Sequence, residues 1–158
     1  MPSIRVQQRG WSGSEVVSHR RGKPRYESAV FLGHGGEIDL TTGPAMTLSP
    51  AAALAAPRTR AANWTFAPYD PPGPVKTWTI ATHRALYLDA TAPPPGEWTL
   101  IGSNPPEIGA VHGTAFRMSA LSAHGKTVVV LIKTDAATFA KFLPVAERLL
   151  ASLRFASS

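Results

Sequence analysis

The chain has 158 residues, a formal charge of +6 and no cysteine, which excludes disulfides, thiolate metal sites, a cysteine nucleophile and a lipid-modified cysteine. That length suits a single domain over 1–158, and an apolar share of 44% argues against wholesale disorder. Residues 1–30 hold Arg5, Arg9, Arg20, Arg21, Lys23 and Arg25 against Glu15 and Glu27, so four of the six net charges belong to this basic N-terminal segment.

The opening "MPSIRVQQRGWSGSEVV" lacks the apolar stretch of a secretory signal, and no run approaches the roughly 18 apolar residues of a membrane span. As written, the sequence reads as cytoplasmic; a longer gene start with a leader would make it extracytoplasmic. "SIRVQQ" and "SEVVSHRR" read as short polar strands around a "GWSGS" turn. In "ESAVFLGHGGEIDLTT" two β-prone runs flank Gly33-His34-Gly35-Gly36, a composition suited to a hairpin because glycine accepts positive φ. Between residues 46 and 62 the pattern predicts a short Ala-rich helix, with Ser49 as cap, Pro50 at its first position and Pro57 at its end.

Twelve of the fifteen prolines lie between Pro44 and Pro106. Proline donates no ladder hydrogen bond, so this region is expected to hold much loop and few central strands. "APYDPPGP" (67–74) is a proline-rich loop ahead of the best-defined core, 75–155. "KTWTIATH", "RALYLDA" and "GEWTLIGS" then read as three short strands. Trp78 with Ile80, Leu86 with Leu88, and Trp98 with Leu100 each share a strand face, which predicts an antiparallel sheet packed on one side.

"GTAFRMSALSAHGKTVVVLIKT" is the clearest hairpin, turning at His124-Gly125. Phe116, Met118 and Ala120 alternate with Arg117 and Ser119, so the first strand is expected to be half exposed. Its partner, Val128 to Ile132, is apolar on both faces and should lie centrally, covered on both sides. Phe139, Phe142, Leu143, Ala146, Leu149, Leu150 and Leu153 then fall on one helical stripe, with Thr134 or Asp135 where an N-cap belongs. Pro144 interrupts that stripe. Burying the six large members at roughly 1.5–3 kcal/mol each outweighs the roughly 3 kcal/mol cost of an interior proline, so the helix survives with a bend.

The hairpin Gly125 to Thr134, Asp135, Phe139, Phe142, Leu143 and the run Leu149 to Phe155 resemble the C-terminal part of the PsbP-like family. Similar endings occur in actinobacterial lipoproteins of the LpqN type. The resemblance covers about 45 residues and consists of packing positions. It implies an α+β fold, an antiparallel sheet with the C-terminal helix packed across one face, extending to an α/β/α sandwich if helices cover both. It also implies a non-enzymatic accessory or binding module, and it brings no catalytic residues.

Sequence patterns for chemistry are sparse. "FLGHGG" has the look of an oxyanion loop, but the nucleophile elbow G-x-S-x-G is missing, and Ser12 in "GWSGS" has the wrong register. The hairpin loop accounts for those glycines. His19, His34, His83, His112 and His124 show no metal-ligand spacing, and no P-loop or dinucleotide fingerprint implies a cofactor. Glu37 and Asp39 share one face of a strand; an exposed polar face is the simpler reading than acid-base work. Trp11, Trp64, Trp78 and Trp98 are expected in the core rather than around a ligand.

"SHRRGKPRY" (18–26) carries the one charge cluster with a functional reading. Arg20, Arg21, Lys23 and Arg25 can contact phosphates while Tyr26 stacks a base; a solvated loop explains the same composition. The expected function is thus a non-catalytic accessory or binding domain for a protein or small ligand, with a small nucleic-acid-binding protein as the alternative.

Overall fold

The computed structural model describes residues 10–18, 26–42, 49–55, 74–92, 97–101, 108–111 and 113–155. Among these residues nine strands form: β1 (Trp11–Ser18), β2 (Tyr26–Gly33), β3 (Gly36–Thr42), β4 (Lys76–Ile80), β5 (His83–Thr91), β6 (Glu97–Ile101), β7 (Ile108–Val111), β8 (Thr114–Ala123) and β9 (Lys126–Asp135). A short helix, α1, runs over residues 50–55, and α2 spans Phe139–Ala151. Seven strands make one antiparallel sheet in the order β1-β2-β3-β9-β8-β5-β4, and β6 pairs with β7 separately.

The central position of β9 follows from its composition. Three strands stand on each side of it, both of its faces are covered, and Val129 and Val130 are each almost fully buried. The hairpin turns are where glycine predicted them. His34-Gly35 joins β2 to β3, and His124-Gly125 joins β8 to β9, with φ of 52° and 80° in the first and 49° and 76° in the second. Two consecutive residues at positive φ match the twist of the strands that they connect.

The sheet is packed on both faces, as expected from the two apolar faces of β9; the one-sided packing expected around Trp78 and Leu86 is revised, since Ala85 and Leu88 of β5 are buried on opposite faces. On the first face, Phe142, Ala146, Leu149 and Leu150 of α2, with Leu153 beyond it, meet Phe31, Ile38, Leu40, Ile80, Leu121, Val130 and Ile132. On the second, Ala53 and Leu54 of α1 meet Leu88, Phe116, Met118, Ala120, Val129 and Leu131. Helices therefore stand on both sides. Ser49 caps α1 as its sequence suggests, its Oγ accepting from the Ala52 amide at 3.2 Å. The predicted end of this helix at Pro57 and the loop at 67–74 fall outside the described residues.

Local expectations were revised at four further places. "GWSGS" belongs to β1 apart from Gly10, which stands in the turn before it. Gly13 fits a strand because a Cβ there would lie 2.9 Å from the Phe31 ring across the ladder. The strand "GEWTLIGS" does not extend the β4-β5 pair; as β6 it takes β7 as its partner, and β7 was not anticipated because four residues with an internal glycine make a weak pattern. Thr134 and Asp135 close β9 instead of capping α2. The cap position is Thr138, without a side-chain bond of its own, and the Asp135 carboxylate accepts from the Thr138 amide at 3.0 Å. That hydrogen bonding holds the Asp135 carboxyl below its ordinary value. Finally, β8 is not half exposed: Ser119 is fully buried and Arg117 is buried among partners on the α2 face.

Pro144 lies within α2 at an exposed position. The stripe below it holds the helix to the sheet. Phe142 makes the closest fit, its ring occupying the space that a Cβ at Gly36 would need. Trp11 stands against that ring, with centroids 5.9 Å apart, so the β2-β3 turn, β1 and α2 lock at one corner.

Candidate functional site

Charge is buried at two places, one on each face of the sheet. On the α2 face, Arg117 projects from β8 beside Asp89 of its β5 neighbour, the residue directly across the ladder. Its Nε and Nη2 donate to the two Asp89 oxygens at 2.8 and 3.0 Å, and Nη1 donates to Glu147 of α2 at 3.3 Å. The guanidinium carbon lies 4.1 Å from the Tyr87 ring centroid and 5.0 Å from that of Trp78. Trp78 is itself oriented by its indole N–H, which donates to Ser119 Oγ at 3.1 Å. Burial works against the charged form, but Asp89, Tyr87 and Glu147 more than offset it and raise the guanidinium above its ordinary value. A planar cation forked onto a carboxylate and stacked on aromatic faces is held in one orientation. This arrangement ties β8, β5, β4 and α2 together and leaves the guanidinium little freedom to take a ligand.

On the other face, Glu37 and Asp39 project from β3, with Lys133 of β9 directly across from Glu37. The Lys133 ammonium lies 3.1 Å from Glu37 Oε1 and 3.2 Å from Asp39 Oδ2. The expected exposed polar face is thus corrected: Asp39 is only 3% exposed, because β3 is an interior strand and its neighbour is β9. Asp39 Oδ2 is buried, and its described partner is the Lys133 ammonium in that ion pair. Burial pushes the Asp39 carboxyl up to about 7, Lys133 pulls it down, and Glu37 raises it further. One ammonium between two carboxylates leaves a negative charge that a shared proton can remove.

The remaining titratable residues form looser groups. His83, which opens β5, and His124, in the β8-β9 turn, have ring centroids 6.4 Å apart, but each ring has a backbone contact at 2.9 Å, His83 Nδ1 to the Ala81 carbonyl and His124 Nε2 to that of Phe155. His34 packs edge-on against Trp11. Among the described residues, no three of His, Asp and Glu gather as a metal-holding group, and no helix is long and apolar enough to cross a membrane.

Family models and curated proteins give no match to this chain. Among solved structures, the solution structure of cyanobacterial PsbP (CyanoP) from Synechocystis sp. PCC 6803 is similar, with a TM-score of 0.50 and 8% identity over 95% of this chain and 84% of that one. The fold is PsbP-like. At that identity the likeness concerns the path of the backbone, an antiparallel sheet with a C-terminal helix laid against it.

Arg20, Arg21, Lys23 and Arg25 lie outside the described residues of this PsbP-like fold. Tyr26 opens β2, where its backbone pairs with Ser18 of β1. The groups that the fold does assemble were only partly visible in sequence. Glu37 and Asp39 stand out as a pair, but their burial depends on Lys133, nearly a hundred residues later. Arg117 gave no local signal, because Asp89, Tyr87, Trp78 and Glu147 reach it through strand pairing and helix packing.

Proposed function

We propose that this chain is a non-catalytic accessory or binding domain whose partner is a protein or a small ligand. The observation that supports this reading is how the charged groups are used. Arg117 is saturated by Asp89, Glu147 and two aromatic rings, and Asp39, the carboxyl best tuned for proton transfer near neutrality, is 3% exposed. A general acid or base must come within hydrogen-bond reach of its substrate, and these groups face one another instead. The PsbP-like fold agrees with it, since the family resemblance implies accessory modules.

The test is the behaviour of the chain in its own cells. A chromosomally tagged copy, cross-linked in vivo and sized by gel filtration, is expected to elute in a defined complex well above the 16.8 kDa of the chain alone. Elution as a free monomer at every stage of growth, with no cross-linked neighbour or bound small molecule by mass spectrometry, would sink the reading. The nucleic-acid alternative rests on Arg20, Arg21, Lys23, Arg25 and Tyr26. Its mark would be binding to a DNA or RNA fragment that weakens steeply as salt rises.

A further inference from the structure

The seven-stranded sheet ends on β4, and among the described residues no strand pairs with its outer side. Ala81 and Thr82, at φ of 46° and 72°, form the two-residue turn between β4 and β5. In such a hairpin the flanking pair, Ile80 and His83, is hydrogen-bonded, and the alternation then makes Trp78-Ala85 and Lys76-Tyr87 the other bonded pairs. The N–H and C=O groups of Thr77 and Thr79 therefore point away from the sheet. Lys76, Thr77 and Thr79 are exposed, and among the described residues no backbone hydrogen bond from another element reaches this edge.

Among the described residues, the exposed charges of the β4-β5 hairpin have one sign. Lys76 lies on the α2 face of β4, and Arg84, exposed and directly across from Thr79, lies on the opposite face. Asp89 is the acidic residue of this hairpin, and it is occupied by Arg117. Trp78 is fixed between Arg117, Tyr87 and Ser119, so the strand is rigid before any partner arrives. A second copy of the chain would bring another Lys76 and another Arg84 to the same ribbon, and like charges across a strand pair are destabilising.

We infer that the outer edge of β4 takes up an extended acidic peptide segment as an eighth strand, with Thr77 and Thr79 supplying the main-chain bonds and Lys76 and Arg84 selecting carboxylates on its two faces. Strand addition of this kind draws affinity from the backbone and selectivity from alternate side chains. The inference rests on the binding-domain reading above and names its surface.

The probe is a fluorescein-labelled heptapeptide in which pairs of glutamates alternate with pairs of threonines, so that both faces of the extended strand carry carboxylates, titrated with the full chain and read by fluorescence anisotropy. Saturable binding is expected, with at least tenfold weaker binding of the same peptide carrying lysine for glutamate. Thr77→Pro removes an outward N–H without touching the β4-β5 ladder, a position where an edge strand tolerates proline. It should weaken binding at least tenfold while the near-ultraviolet circular dichroism of the tryptophans is kept. A Lys76→Glu, Arg84→Glu double variant, whose substitutions are both on exposed side chains, should weaken it similarly. Should Thr77→Pro destroy the fold, an unlabelled peptide N-methylated at alternate amides gives the same test from the partner's side. Absence of binding, equal binding of the lysine peptide, or indifference to both Thr77→Pro and N-methylation would overturn the inference. If a native complex persists in any of those cases, the strand-addition surface alone is wrong and the binding-domain reading stands.

Discussion

The two faces of the sheet bury charge by opposite means. On the α2 face the buried member is a cation, and the carboxylates that neutralise it, Asp89 and Glu147, keep 43% and 44% of their side chains in water. On the other face the buried member is an anion, and it competes with Glu37 for a single ammonium. In the first case the excess negative charge is solvated. In the second it is enclosed, so protonation is the route left for relieving it. Both clusters tie neighbouring strands together, yet only one of them should respond to pH.

The largest expected effect comes from taking the ammonium away. Lys133→Met leaves Glu37 beside a buried Asp39, and at pH 8 it should cost about 3–5 kcal/mol, the usual range for an orphaned buried charge. The cost should shrink at pH 5.5, where Asp39 holds a proton. Arg117→Met should cost about 1–2 kcal/mol, because Asp89 and Glu147 can be rehydrated where they stand, and should change little over the same pH range. Urea denaturation at both pH values measures the four numbers. Equal pH dependence in the two variants would erase the contrast between the faces.

Next in size is the packing of α2. Leu150→Ala, which opens a cavity under the helix, should cost about 2–5 kcal/mol. Arg148→Ala, on the exposed side, should stay within about 0.5 kcal/mol. Similar losses from both would mean that the buried side of α2 is not the one described.

A subtler test follows the proton on Asp39. Its carboxyl is raised from 3.8 to about 7 in the folded protein, so the folded state holds a proton that the unfolded state gives up first. The stabilisation is complete below about pH 4 and is lost as pH rises through about 7. Asp39→Asn cannot lose that proton. Relative to the parent chain it should therefore gain stability steadily from pH 4 to 7 and hold a constant difference above pH 8. Parallel stability curves across this range would show that Asp39 does not titrate there.

The smallest effect is expected where the fold makes no described use of charge. Replacing Arg20, Arg21, Lys23 and Arg25 by serine should leave the melting temperature nearly unchanged, while abolishing any nucleic-acid binding. A strongly destabilised quadruple variant would mean that these cations pair with carboxylates in the fold, and the nucleic-acid alternative would lose its support.

How far the sequence could be read depended on how local each cause was. The β8-β9 hairpin, the central placement of β9 and the buried stripe of α2 were legible because glycine at a turn, an apolar run and helical spacing all act within a few residues. The turn at Ala81-Thr82 was not, since neither residue favours positive φ and the strand pairing on either side imposes it. Alternation also misled at Arg117 and Ser119. A polar residue every second position signals a wet face only when nothing lies over it, and α2 does. The partner of β6, and the burial of Asp39, likewise depend on which distant strand arrives alongside.

The pairing of β3 with β9 has a consequence for how the chain is made. Ile38 meets Ile132 and Leu40 meets Val130, so the inner edge of the β1-β2-β3 meander has no neighbour until β9 has been synthesised, 84 positions after β3 ends at Thr42. Closing so long a loop is entropically slow, and contacts this distant in sequence delay folding. During elongation the meander must wait with Ile38 and Leu40 uncovered and one row of backbone donors and acceptors unmatched. Such an intermediate is prone to pair with a neighbouring nascent chain. A chain truncated before β9 is therefore expected to aggregate rather than persist as a smaller folded unit. β9 acts as the latch on the strands that precede it.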